Sequence, residues 1–170
     1  MEPGDDVGGR EAADGHDVVA LHELILMRHA DALPAAIDAE DYSRPLSAAG
    51  RMAAARAAHK LAGGAPIDCL LYSPAQRTSD TATIVAAELA LRPALLAAVP
   101  ELYLATPLRI REVIAARHGG ARTLLVVGHN PSLSELGGEL DPKHRQGHLA
   151  TAAFWRLPLA ADAWRELTHS

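Results

Sequence analysis

Arg28 and His29 stand where the apolar run Leu24-Ile25-Leu26-Met27 stops. Such a run reads as a buried strand, and open α/β sheets bind ligands beyond the carboxyl ends of their strands. An arginine there can hold an anion, and a histidine can serve as nucleophile or base near neutral pH. Three further apolar runs end in a similar way. Cys69 to Tyr72 is followed by Ser73 and then Arg77, Leu95 to Val99 by Glu101, and Thr123 to Val127 by Gly128 and His129. In a parallel sheet these loops share one edge, which would gather two arginines, two histidines and a carboxylate into one pocket. Helix starts at Ser73 and Asn130 would add backbone N–H groups and positive partial charge. The composition suits a phosphate.

Taken singly, each residue has a plainer reading. Arg77 in the first turns of a helix is an ordinary solvated side chain, a lone histidine after a strand is commonly structural, and Glu101 alone says nothing. The recurrence at every strand end favours a shared site. Reading His29, Asp31, Asp141, His144 and His148 as metal ligands is less well supported, because no pair has the His-x-His or His-Glu-x-x-His spacing that sets two donors on one face. The chain lacks the Gly-x-x-x-x-Gly-Lys loop of nucleotide-driven phosphoryl transfer and the Gly-x-Ser-x-Gly elbow of serine hydrolases.

The elements that must position these residues alternate between strand and helix. After the first strand, Leu24 to Met27, comes a long loop rich in breakers and acids, including Asp31, Pro34, Asp41 and Pro45. Ser47 is set to cap a helix to about Leu61, ended by Gly63-Gly64. A second helix is expected from a Ser73 cap with Pro74 at its first position, to about Ala90. Thr106-Pro107 opens a third, closed by Gly119-Gly120, and Asn130 is expected to cap a short fourth toward Leu140. Two weaker strands, Ala152 to Leu157 and Trp164 to Leu167, complete the pattern. Alternation of this kind predicts a three-layer α/β sandwich with a mostly parallel central sheet and right-handed crossovers.

With 170 residues and 49% hydrophobic composition, the chain can bury one substantial core. We expect one domain over 21–170, preceded by an acidic, Gly-rich tail over 1–20 without the basic start and apolar middle of a secretion signal. The net charge of −5 gives no reason to expect nucleic acid or an acidic membrane as partner, and no apolar stretch has the length of a bilayer span. The lone Cys69 lies in an apolar run, reads as a core residue, and fits a reducing cytoplasm.

Three blocks, in order, are similar to those of a known family. Leu26-Met27-Arg28-His29-Ala30 resembles the Arg-His-Gly signature of the histidine phosphatase superfamily, the phosphoglycerate-mutase-like fold, with alanine in place of glycine. Ser73-Pro74-Ala75-Gln76-Arg77-Thr78-Ser79-Asp80-Thr81-Ala82 resembles the second block and Val126-Val127-Gly128-His129-Asn130-Pro131 the third. The short chain, Arg44-Pro45-Leu46-Ser47-Ala48-Ala49-Gly50 and Leu102-Tyr103-Leu104-Ala105 look most like the small SixA-like phosphohistidine phosphatases.

The resemblance implies a covalent mechanism without metal or other cofactor. His29 would attack phosphorus through one ring nitrogen while the other fixes the tautomer. Arg28, Arg77 and His129 would hold the non-bridging oxygens. Glu101 is the positional candidate for the proton donor, with Asp31 or Asp41 in the long first loop as alternatives. A short-looped site should be open, which favours a phosphorylated protein, although a small phosphorylated substrate fits as well. A non-catalytic phosphate- or phosphoprotein-binding module of the same fold also stays open at this point. Oligomeric state is not legible.

Overall fold

The computed structural model describes residues 21–36 and 40–160 together with Asp162, Trp164 and Leu167. The expected tail over 1–20 lies outside the described residues. In chain order the elements are β1 (His22–Arg28), α1 (Ala48–Leu61), β2 (Cys69–Tyr72), α2 (Gln76–Glu88), β3 (Leu96–Ala98), α3 (Pro107–Arg117), β4 (Thr123–Gly128), α4 (Ser132–Leu140) and β5 (Phe154–Leu159). They build a five-stranded sheet in the order β3-β2-β4-β1-β5. All neighbours are parallel except β5, which runs antiparallel to β1 at the edge. The α/β sandwich with a mostly parallel sheet is thus as expected.

Successive strand side chains point to opposite faces, and the core divides accordingly. Leu24, Leu26, Leu71, Leu124 and Val126 pack with Ile110, Val113 and Ile114 of α3 and Leu133 and Leu136 of α4. Ile25, Met27, Leu70, Leu125 and Val127 pack on the other face with Ala57, Ala58 and Leu61 of α1 and Ala82 and Val85 of α2. Each buried Leu, Ile or Val contributes about 1.5–3 kcal/mol of transfer free energy. Covering on both faces explains why β1 and β4 read as unbroken apolar runs.

The register aligns the strand ends. Arg28 pairs with Gly128 across β1 and β4, and Tyr72 pairs with Val127 and with Ala98. The residues that follow, His29, His129 and Ser73, therefore leave the sheet at nearly one level. The connection after β1 leads toward β2 and that after β4 toward β5, on opposite sides of this adjacent pair. A crevice opens where they part, the place where such sheets bind ligands.

Several boundaries differ from expectation. α2 begins at Gln76 with Ala75 as its cap residue, two positions after the expected start, because the Ser73 hydroxyl faces His129 instead of capping. α4 begins at Ser132, since the Asn130 side chain binds Leu149 and Ser134. Trp164 and Leu167, the described residues of the expected last strand, belong to no strand of the sheet. Trp164 Nε1 donates to the Ala121 carbonyl at 2.8 Å, and Trp164 and Leu167 bury in the core on the α3 and α4 face. β5 instead forms the edge and carries Pro158, tolerable there because an edge strand has N–H positions that bond to no neighbour. No helix among the described residues is long and apolar enough to cross a membrane.

Candidate active site

His29 leaves β1 with its backbone N–H bonded to the Gly128 carbonyl at 3.1 Å. Its Nδ1 lies 2.8 Å from the Ala30 carbonyl oxygen. A carbonyl can only accept, so Nδ1 carries the proton and Nε2 keeps a free lone pair. The Ala30 N–H donates in turn to Thr81 Oγ1 at 3.0 Å, and the Thr81 hydroxyl donates to the Arg77 carbonyl at 2.7 Å. One buried hydroxyl on α2 thereby ties the peptide that orients His29 to the backbone of Arg77. Ala30 is absent from the left-handed region, which Ala90, Leu104 and Ala152 occupy, so alanine in place of glycine brings no strain of that kind.

Burial lowers the His29 pKa to about 4 despite the bond to Ala30, with Arg77, Arg28 and Arg44 adding repulsion of the protonated form. The ring is neutral at physiological pH. His129 lies beside it with ring centroids 5.4 Å apart and is only 6% exposed. Burial, then Arg77 and His29, lower its pKa to about 3, opposed in part by Asp41. Its Nε2 stands 2.9 Å from Ser73 Oγ and its Nδ1 stands 3.4 Å from Arg77 Nη2.

Arg77 is 4% exposed, and its guanidinium is held by the first loop. Nη1 donates to the Asp41 carbonyl at 2.7 Å and Nη2 to Asp41 Oδ2 at 2.9 Å. Asp41 begins a 3-10 turn, Asp41–Ser43, and also accepts from Arg44 at 3.0 Å and from the Tyr103 hydroxyl at 3.3 Å. The hydrogen bond from Arg44, with help from Arg77, holds its carboxyl below the usual carboxylate range. The Tyr103 ring meets Tyr42 and His129 edge-on, linking the first loop to the histidine after β4.

Arg28 approaches from the other side. Its Nη1 donates to the Leu149 carbonyl at 3.3 Å and faces His148 Nε2 at 3.2 Å. Its Nε is buried without a hydrogen-bond partner among the described residues. An orphaned buried N–H is costly, and an oxyanion in the crevice would relieve it. The Leu149 carbonyl also accepts from Asn130 Nδ2 at 2.8 Å, while the Leu149 N–H donates to Ser134 Oγ at 3.0 Å. The segment that seats Arg28 is thereby fastened to the start of α4.

The fold thus brings Arg28, His29, Arg77 and His129 together. Glu101 stands apart from them: it sits in the first turn of Pro100–Leu102 and pairs with Arg117 of α3 at 3.4 Å. The 3-10 turn forced by Pro100 turns it toward the helix, not the crevice. Asp31 is used structurally. Its carboxylate accepts from the Ser47 hydroxyl that caps α1. Of the three acids considered from sequence, Asp41 is the one in contact with the cluster. The places of Tyr103 and Thr81 were not expected from sequence; Thr81 lies one helical turn beyond Arg77, a spacing that signals a shared face.

A family model described as the histidine phosphatase superfamily (branch 1) matches residues 24–106. A structure from Nakamurella multipartitia bearing the name phosphohistidine phosphatase SixA is 32% identical, with a TM-score of 0.73, covering 88% of this chain and 91% of that one. The chain belongs to the histidine phosphatase superfamily. A second such phosphatase structure, from Agrobacterium tumefaciens, shares the fold at 22% identity and a TM-score of 0.71, covering 79% of this chain and 90% of its own. The protein histidine phosphatase SixA complexed with tungstate also shares it, at 24% identity and a TM-score of 0.67, with 83% of this chain and 98% of that one covered. No curated protein matches the chain. Family and fold make this chain a phosphatase of the histidine-nucleophile class.

Proposed function

We propose that residues 21–170 form one metal-independent phosphatase domain that removes a phosphoryl group through a phosphohistidine on His29, and that its substrate is phosphohistidine carried by a protein. The observation that carries the reading is the Nδ1–H bond from His29 to the Ala30 carbonyl, which leaves Nε2 unprotonated beside Arg77 and His129. Nε2 forms the N–P bond as the bond to the leaving atom breaks. Arg28, Arg77 and His129 hold the non-bridging oxygens, where charge accumulates in a loose transition state.

Asp41 supplies the proton. Its carboxylate is ionised while it sits on Arg77, but a phosphoryl dianion arriving there removes the favourable cation and adds negative charge. Both changes raise the Asp41 pKa, so binding draws in a proton that is then passed to the leaving atom. In the second half water attacks phosphorus, the N–P bond breaks, the water proton goes to Asp41, and inorganic phosphate leaves.

A protein substrate is favoured by the SixA relative at 32% identity and by the rim of the crevice. Tyr42 and Leu104, adjacent to Asp41 and Tyr103, are large apolar side chains left exposed, as suits contact with another macromolecule. Alkaline-quench trapping after mixing with a phosphohistidine protein should yield a base-stable, acid-labile phosphoenzyme that His29→Ala lacks. Failure of the wild type to form it would overturn the mechanism. Equal or faster turnover of small alkyl phosphates than of the phosphohistidine protein would favour a small-molecule phosphomonoesterase instead.

A further inference from the structure

We propose that Ser73 is a positioning residue that sets the tautomer of His129, its hydroxyl turning from acceptor to donor when an oxyanion enters the pocket. The inference rests on the phosphatase reading for its purpose and on three contacts for its substance. His129 Nε2 faces Ser73 Oγ at 2.9 Å, His129 Nδ1 faces Arg77 Nη2 at 3.4 Å, and the Ala75 N–H donates to Ser73 Oγ at 3.5 Å.

Arg77 can only donate. Without an anion bound, His129 Nδ1 therefore accepts from it, the ring proton sits on Nε2, and Ser73 Oγ accepts that proton along with the Ala75 N–H. This arrangement leaves the Ser73 hydroxyl hydrogen without an acceptor, at a residue that is 0% exposed. The opposite arrangement satisfies Ser73 fully: its O–H donates to Nε2, it accepts from Ala75, and Nδ1 carries the ring proton. Two donors then face each other between Nδ1 and Arg77. Each arrangement leaves one conflict, an unpaired hydroxyl hydrogen in the first and a donor–donor contact at 3.4 Å in the second.

An oxyanion decides between them. Once it takes Arg77 Nη2, Nδ1 loses its donor and gains an acceptor in the anion itself. The proton then belongs on Nδ1, where it can hold a phosphoryl oxygen, and the Ser73 hydroxyl turns to donate to Nε2. His129 becomes a donor to substrate without becoming charged. Burial beside Arg77 and Arg28 opposes the alternative, an imidazolium. The Tyr103 ring packs on His129 edge-on and its hydroxyl donates to Asp41, so Ser73 is the side chain able to exchange roles.

The test is the 15N spectrum of the imidazoles in the full chain, free and with saturating tungstate. The expected result is a neutral His129 protonated at Nε2 when free and at Nδ1 when tungstate is bound. Ser73→Ala should mix the tautomers in the free protein and weaken tungstate binding on the order of tenfold, and Ser73→Thr should restore both. A doubly protonated His129 with tungstate bound, or Nε2 protonation in both states, would overturn the proposal. So would wild-type tungstate affinity in folded Ser73→Ala. Should that variant not fold, the wild-type spectra alone decide. None of these readouts needs turnover, so a protein that binds tungstate and switches tautomer yet forms no phosphoenzyme would overturn the mechanism and leave this inference standing.

Discussion

Asp41 Oδ2 lies 2.9 Å from Arg77 Nη2, so the guanidinium expected to clamp a phosphoryl oxygen already carries a carboxylate of its own chain. A buried arginine without a counter-ion would be costly, and the Asp41 turn supplies one from the first loop. The carboxylate side is half exposed, which makes the pair easy to open from solvent. Loop and substrate compete for the same donors, and the loser of that competition is left beside the leaving group.

Asp41→Asn separates the two consequences. Removing the charge should tighten tungstate binding several-fold, because the resident competitor is weakened. Removing the proton donor should slow alkyl phosphates by about 100-fold or more, and aryl phosphates with good leaving groups much less. Inhibition by tungstate and kcat across a leaving-group series read the two effects independently. Weaker tungstate binding with uniform loss of kcat would show that Asp41 serves only to place Arg77.

The two histidines predict a definite pH behaviour. Folding lowers the pKa of His29 to about 4 and of His129 to about 3, from an ordinary 6.5. The unfolded chain therefore binds more protons than the folded one below about 6.5, and stability falls as pH drops through that window. Their contribution is complete above 6.5 and gone once the pH lies below both folded values. Denaturant unfolding at pH 7 and pH 4.5 should show the loss, with a shallower dependence in His129→Asn. The acid limb of kcat/KM should lie near 4, the value for the free enzyme; a limb near 6.5 would mean that His29 is solvated.

Thr81 offers a test of how His29 and Arg77 are coupled. Thr81→Val keeps the shape and removes the hydroxyl that accepts from the Ala30 N–H at 3.0 Å. The buried N–H left behind should cost about 1–3 kcal/mol of stability. Loss of the tie between the two residues should lower kcat by about tenfold or more, and Thr81→Ser should recover most of both. A stability loss with unchanged kcat would show that the tie serves folding alone.

The strand ends were the legible part of this site, because apolar runs covered on both faces are continuous and the register then carries Arg28, His29 and His129 to one edge. Arg77 was legible through its spacing from Ser73. The roles of Ser73 and Asn130 were not. Both residue types are good helix caps, and nothing local says that a side chain will instead reach His129 or Leu149, partners 56 and 19 residues away. The place of Asp41 was hidden for a related reason: a long loop carries no periodicity, so which of its acids meets Arg77 is decided by tertiary contacts.

Asn130→Ala tests the seat of Arg28. The substitution removes the bond to the Leu149 carbonyl and the acceptor for Ser134 Oγ, loosening the segment against which Arg28 Nη1 rests. Tungstate affinity should fall several-fold and KM rise, with about 1 kcal/mol lost in stability. Ser134→Ala should act in the same direction because Ser134 Oγ accepts from the Leu149 N–H. Unchanged affinity in both variants would mean that Arg28 is positioned by β1 alone.

Glu101→Gln is the counterpart of the Asp41 variant and decides between a position read from sequence and one read from contacts. Glu101 follows β3 as a proton donor would, but its carboxylate bonds to Arg117, and its pKa is lowered first by a hydrogen bond from its own backbone and then by Arg117 and Arg109. A carboxyl held in the ionised form by partners outside the crevice has no proton to give and no substrate beside it. The variant should therefore keep kcat within about twofold of wild type on alkyl and aryl phosphates alike, an expectation that follows from the absence of any transition-state contact to lose. Slowing confined to alkyl phosphates in Glu101→Gln, with Asp41→Asn unaffected, would return the proton donor to Glu101 and require the turn at Pro100–Leu102 to swing away from Arg117 when substrate binds.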